Sequence, residues 1–152
     1  EIVLIRNGAY ADCLVSPRSS VEYGVPTNAA NGSETPVSVD LAAGDLAEAD
    51  VLKRLGTGVY VGNLWYLNFS DRSAGRLPGM TRFASFWVED GTIVAPLNVM
   101  RFDDTIYRML GSHLDALTAE REMILDASTY EGRSADSARL PGALIDGFRF
   151  TL

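Results

Sequence analysis

Two dipeptides constrain this chain more than anything else in it. Asn7-Gly8 and Asp90-Gly91 each separate two runs that read as strands. Asn-Gly and Asp-Gly tolerate the positive φ angles of a type I′ turn, whose twist matches that of paired antiparallel strands. The first hairpin is expected to join residues 2–6 to residues 9–15, and the second residues 83–89 to residues 92–99. In the second, alternation puts Ala84, Phe86 and Val88 on one face and Ile93, Ala95, Leu97 and Val99 on one face of the partner. Pro96 has no N–H to give a ladder, which predicts that its nitrogen points off a sheet edge.

Each hairpin leads into a helix signal. Ser16-Pro17 opens and Gly24 closes a short helix after the first, an N-cap serine, a first-turn proline and a glycine stop. Asp103-Asp104 and Gly111 bracket a second helix by the same logic, with the carboxylates at the positive end of the dipole. The shared layout suggests a repeated hairpin-plus-helix unit. Residues 26–36 are rich in Pro, Asn, Gly and Ser and read as an exposed or mobile loop. Residues 37–41 alternate as a strand. Residues 46–55 read as a helix stopped by Gly56, residues 59–69 as one long strand, and residues 70–78 as a polar loop. Residues 120–128 suit either strand or helix. Phe148, Phe150 and Leu152 alternate in the tail after a turn at Asp146-Gly147.

About eight strands and three or four short helices, joined by tight turns, predict an α+β, β-rich fold with mostly antiparallel strands in a barrel- or sandwich-like arrangement. A chain of 152 residues with 47% hydrophobic content forms one folded domain, residues 1–152, and not a disordered tail. It starts at Glu1, already within a strand-like run, which suggests a fragment of a longer polypeptide with something upstream removed.

Charge and cysteine usage exclude several classes. With 13 Lys and Arg, no run of them, and a net charge of −7, direct nucleic-acid contact and anionic membranes are disfavoured. No apolar stretch approaches the ~20 residues of a membrane helix, and the N-terminus lacks signal-peptide character. Cys13 is the single cysteine, so there is no internal disulfide, which fits a reducing compartment.

The residues offer little for catalysis. A catalytic zinc site takes about three protein ligands, and this chain has one histidine, His113, and one cysteine. His113 follows a glycine turn and reads as an exposed or capping imidazole. Cys13 reads as a small buried hydrophobe on a strand. No metal-helix motif, nucleophile elbow or phosphate loop occurs. The aromatics concentrate centrally, among them Trp65, Tyr66, Phe83, Phe86, Trp87 and Phe102. They build a core, or some line a groove or interface. The adjacent pairs Trp65-Tyr66 and Phe86-Trp87 predict that both faces of their sheet are covered.

Several stretches in order resemble one family. They are Gly56-Thr57-Gly58-Val59-Tyr60-Val61, then Leu64-Trp65-Tyr66-Leu67-Asn68-Phe69-Ser70-Asp71-Arg72, then Gly79-Met80-Thr81-Arg82. Glu89-Asp90-Gly91-Thr92-Ile93 with Pro96, Arg101-Phe102-Asp103-Asp104 and Pro141-Gly142-Ala143-Leu144-Ile145-Asp146-Gly147-Phe148 complete the set, with Val15-Ser16-Pro17-Arg18 before it. The set is similar to the C-terminal domain of TldD/PmbA proteins, a family labelled modulator of DNA gyrase and zinc-metallopeptidase-like; the gyrase label reflects genetics more than DNA contact. The resemblance implies a β-rich domain that follows an N-terminal α/β domain, in a cytoplasmic peptidase system acting on unfolded peptides. It implies dimers, of one chain or of two paralogous subunits, and no direct nucleic-acid or membrane contact. In that family the metal helix lies in the N-terminal domain, and a cysteine near the C-terminal end adds a zinc ligand. Here residues 128–134 hold no cysteine, and Glu131 is the one candidate substitute. The resemblance therefore carries over no catalytic residue and no cofactor to this chain, with zinc expected in the full-length protein or its partner. Trp65, Tyr66 and Trp87 are the candidates for substrate or interface contact. The other reading is a non-proteolytic binding or scaffold module without metal.

Overall fold

The computed structural model describes residues 1–127, Gly132 and residues 134–151. In chain order the elements are β1 (Ile5–Arg6), β2 (Ala9–Tyr10), α1 (Pro17–Tyr23), β3 (Ser38–Asp40), α2 (Val51–Leu55), β4 (Gly58–Val61) and β5 (Leu64–Trp65). Then follow β6 (Arg76–Thr81), β7 (Ser85–Glu89), β8 (Thr92–Pro96), β9 (Arg101–Thr105), β10 (Leu114–Leu125), β11 (Ser137–Ile145) and β12 (Phe150–Thr151). A 3-10 turn at Glu48–Asp50 precedes α2, and a π-type turn at Arg108–Ser112 follows β9. The fold is mostly β, as the turn spacing predicts. Its strands form four sheets, in the orders β1-β2, β10-β11-β3, β12-β9-β6-β5 and β4-β7-β8, and among the described residues none closes into a barrel. Contacts group the chain into two units: Glu1–Leu41 with Met123–Leu140, and Ala42–Glu122 with Pro141–Leu152.

The first unit is held by side-chain-to-backbone bonds. Asn7 (φ 52°) and Gly8 (φ 76°) make the expected I′ turn, but β1 and β2 are only two residues each. α1 forms as predicted, with Ser16 Oγ accepting from Ser19 N and Gly24 in the left-handed region. The exposed loop at residues 26–36 is fastened. Asn28 Oδ1 accepts from Val15 N at 2.8 Å while its Nδ2 donates to Cys13 O at 2.7 Å. Glu34 Oε1 accepts from Ser16 N at 2.8 Å. Bonds from Ser19 and Ser16 hold the Glu34 carboxyl below its usual range. β3 pairs in parallel with the start of β11, where Asp40 and Arg139 face each other and form an ion pair. Val15 and Ser16 are the buried residues among those described in this unit. Cys13 is exposed, which corrects its reading as a buried hydrophobe: β2 ends at Tyr10, so no strand carries it inward.

The second unit has a core. Phe102 on β9 is 1% exposed and meets Phe148, which meets Phe150, at ring-centre distances of 5.1 and 4.9 Å. Phe150 stands opposite Phe102 in the β12–β9 register, so the alternating tail delivers the aromatics expected of it. Gly79 lies across from Phe102 on β6, and a Cβ there would come within 2.7 Å of that ring.

Four expectations change here. Residues 59–69 do not form one strand. Gly62 and Asn63 break the run, sending β4 into the sheet with β7 and β5 into the sheet with β6. Asp103 and Asp104 do not start a helix. They lie on β9, because β6 supplies ladder partners from Arg76 to Met80 and arginines take up both carboxylates. The second hairpin therefore leads into a strand, and the helical segment expected up to Gly111 begins only after it, at residues 106–107 and the π-helical Arg108–Ser112, so β9 separates hairpin from helix and the two layouts are not alike. The polar loop at residues 70–78 gives way to β6 from Arg76 onward.

The β7–β8 hairpin turns at Asp90 (φ 47°) and Gly91 (φ 75°), as its dipeptide predicts. A register shift between Trp87 and Val88 leaves Val94 without an opposite residue and interrupts the alternation expected along β8. β8 has a single neighbour, so Pro96 sits on an edge strand. Residues 114–125 form one strand, which settles the ambiguous stretch as β up to Leu125.

Candidate ligand-binding surface

β5 and β6 run antiparallel with Leu64 opposite Thr81 and Trp65 opposite Met80. This register brings the residue after β6, Arg82, alongside Trp65. The guanidinium carbon of Arg82 lies 4.2 Å from the Trp65 ring centre and 4.5 Å from that of Phe83. A guanidinium over an indole face is attracted by the negative π cloud, and its planar shape stacks well. Backbone geometry fixes the group. Arg82 N donates to Asn63 O at 2.9 Å, Gly62 N to Ala84 O at 3.0 Å, and Ser85 Oγ to Phe83 O at 3.1 Å. Phe83 (φ 51°) and Ala84 (φ 23°) are consecutive non-glycine residues in the left-handed region, a conformation that persists only where the surroundings enforce it.

The three residues singled out from sequence part company. Trp65 is 51% and Tyr66 69% exposed, the latter with φ 56° just past β5. Trp87 is half-buried on β7, in the other sheet, and its Nε1 donates to Glu89 Oε1 at 2.7 Å. Phe83 joins Trp65 with 70% exposure. Sequence reasoning named Phe83 only as one of the central aromatics and gave Arg82 no role. Their signal was the strand-to-strand register, with no Gly or Asn at 83 and 84 to make the turn cheap. Between the ends of β7 and β8, next to Arg82, a cleft of about 180 Å³ is lined by Phe83, Phe86, Pro96, Leu97 and Val99, among others.

The other polar cluster of this unit is structural. Asp104, buried, accepts from Arg108 Nη1 at 2.5 Å and from Thr105 N at 2.8 Å. Arg108 Nη2 also donates to Gly147 O at 2.7 Å, tying the π-type turn to the turn before β12. His113 is half-buried beside it, not freely exposed. Its Nδ1 lies 3.2 Å from Arg108 Nη2 and 3.1 Å from Asp146 O, so it accepts from the first or donates to the second. Two ion pairs on the surface, Arg76–Asp103 and Arg54–Asp115, are two-pronged. The arginine bonds hold the Asp103 and Asp115 carboxyls below their ordinary range. In the other unit, a hydrogen bond that the Tyr10 hydroxyl gives to Cys13 holds the phenol proton and raises its pKa.

Zinc fits none of this. Among the described residues no three His, Cys, Asp or Glu side chains gather to hold a metal ion, and Glu131 lies outside the described residues. No chemical step is derived through a metal here. Among those residues, no helix is long and apolar enough to cross a membrane.

Comparison with known proteins accounts for the whole chain. No curated protein matches it. Solved structures share the fold, among them the following two. TldE from Thermococcus kodakarensis superimposes with a TM-score of 0.77 at 17% identity, over 97% of this chain and 33% of that one. A proposed modulator of a DNA gyrase from Thermotoga maritima gives 0.70 at 15% identity, over 94% and 31%. The chain thus spans about a third of the length of each. The family described as the PmbA/TldA metallopeptidase C-terminal domain matches residues 1–152. With sequence family and fold in agreement, the chain belongs to the PmbA/TldA C-terminal domain family.

Proposed function

We propose that this chain is the non-catalytic, C-terminal part of a cytoplasmic peptidase assembly acting on unfolded peptides, where it contacts substrate and joins subunits. The peptidase reading rests on the family description. The contact and joining roles rest on one observation, the amount of apolar surface left open. The chain exposes 11088 Å², whereas two separate compact bodies of the sizes of its two units would expose about 9,000 Å². The excess is of the order of a stable protein interface. Much of it is large and apolar, including Trp65, Tyr66, Phe69 and Phe83 in one unit and Ile5, Tyr10, Val21 and Leu125 in the other. Large apolar side chains left this exposed are candidates for cover by a partner. The partner in this reading is a paralogous subunit or a second copy, and any zinc belongs to the partner or to a further part of the same polypeptide.

The test is reconstitution. The full polypeptide and its paralogous subunit, mixed, are expected to cleave an unfolded polypeptide, to lose activity to a zinc chelator, and to regain it with zinc. A variant lacking residues 1–152 of this chain should neither assemble nor cleave. Undiminished cleavage without them would overturn the proposed role. Assembly without any cleavage would favour a scaffold module instead.

A further inference from the structure

Arg82 carries more than the proposed function uses. Its guanidinium lies against two aromatic rings, Trp65 and Phe83, and among the described residues its side chain has no hydrogen-bond acceptor. Stacking occupies the faces of a guanidinium. The N–H donors lie in its plane and point from the edge, in the fork that matches the two oxygens of a carboxylate. An arginine on a free surface must give up rotamer freedom to make that fork, whereas one already stacked has given it up, so the binding cost is reduced. The turn holding it is itself enforced, with Phe83 and Ala84 both left-handed, and strain of this kind gathers at ligand sites.

The cleft beside Arg82 defines the rest of the ligand. Phe86, Pro96, Leu97 and Val99 give it apolar walls, the Thr81 and Ser85 hydroxyls that also line it are engaged with Met100 N and Phe83 O, and its volume of about 180 Å³ takes one side chain. A carboxylate at its rim and an apolar group inside must therefore be a few bonds apart. The last residue of a peptide meets that condition, since its α-carboxylate and side chain share one Cα. An internal Asp or Glu does not, because its carboxylate ends the side chain. A phosphate dianion has no apolar group to fill the cleft and meets a chain of net charge −7.

We propose that Arg82, stacked against Trp65 and Phe83, receives the terminal α-carboxylate of a peptide whose apolar last side chain enters the adjoining cleft. This deepens the peptide reading above and rests on it for the origin of the peptide.

Trp65 reports on the site directly, so tryptophan fluorescence can follow binding to the 152-residue chain. The probes are acetyl-Gly-Gly-Leu as the free acid, the same peptide as its C-terminal amide, acetyl-Gly-Gly-Gly acid, and acetyl-Glu-Leu amide. The free Leu acid is expected to bind at least about tenfold more tightly than its amide, since one charge-assisted pair is lost. Arg82→Lys should weaken the acid by about tenfold and leave the amide unchanged, because an ammonium lacks the fork. Leu97→Ala should weaken the Leu acid and spare the Gly acid. Equal affinity for acid and amide overturns the proposal, as does no response to the acid up to about 10 mM. Binding of acetyl-Glu-Leu amide as tight as that of the acid overturns the terminal source. If Arg82→Lys does not fold, the acid and amide comparison on the unaltered protein still decides. Failure of the reconstituted assembly to cleave peptides would sink the earlier reading without touching this one. Equal binding of acid and amide would sink this one without touching cleavage.

Discussion

The two units of this chain solve the same problem by different means. The second buries Phe102, Val88 and Met109 and packs Phe148 and Phe150 around β9. The first buries Val15 and Ser16 among its described residues and relies on Asn28, Thr27 and Glu34 to satisfy backbone groups. Hydrophobic burial is the larger stabilising term in folding, while a typical hydrogen bond adds only ~1 kcal/mol net. The second unit is therefore the stable body, and the first depends on local bonds and on whatever covers its apolar side chains.

This contrast can be broken or sharpened by experiment. The largest effect is expected from Phe102→Ala, which removes the centre of the second unit and should cost about 3–5 kcal/mol. Both tryptophans lie in that unit, so denaturant unfolding followed by their fluorescence measures it alone. A loss under about 1 kcal/mol would mean that the phenylalanine cluster is not what stabilises this unit.

Arg108→Met should cost somewhat less, about 3 kcal/mol, because it strands the buried Asp104 carboxylate and frees the Gly147 carbonyl. The double variant Asp104→Asn, Arg108→Met should recover part of the loss. Absence of any recovery would mean the ion pair is not the source of the cost.

Asn28→Ala tests the first unit. It leaves Val15 N without its acceptor, at a cost of about 1–3 kcal/mol. Hydrogen exchange at Val15 and Ser16 should speed up, while the tryptophan-detected midpoint stays fixed. A midpoint that moves by the same amount would show that the two units unfold as one.

The smallest effect is pH dependence. Asp103 and Asp115 have folded-state pKa values below their unfolded ones, chiefly through bonds from Arg76 and Arg54. Their contribution is thus complete above the ordinary carboxylate range and is lost as pH falls through the lowered values. Asp115→Asn should remove that small contribution at neutral pH, leave stability at acid pH nearly unchanged, and so flatten the acid limb of the second unit's stability curve. An acid limb identical to that of the parent chain would assign acid sensitivity elsewhere.

What could be read in the sequence follows the range of the forces involved. The turns at Asn7-Gly8 and Asp90-Gly91 and the caps at Ser16 and Gly24 are set within a few residues, and each formed as read. The break at Gly62 was misread because strand pattern on both sides is good, and only the ladder with residue 84 shows that the chain changes sheets there. Asp103-Asp104 carried a genuine helix-start signal. Arg76 and Arg108, 27 and 4 residues away from their partners, overrode it. For the candidate site, Trp65 and Tyr66 were legible as large aromatics that either build a core or line a groove or interface, and the structure leaves both exposed, against the expectation of covered sheet faces. Arg82 was not, since its role comes from a strand register that no local pattern encodes.

The placement of three side chains also makes this protein its own measuring device. Cys13, the chain's single thiol, is exposed in the first unit, and both indoles belong to the second. A dye on that thiol turns Trp65 and Trp87 into native energy donors, with no engineered residue. Energy transfer between them would report on both units in one measurement when a peptide or a subunit is added, and quenching confined to Trp65 would say that it arrived at the Arg82 site.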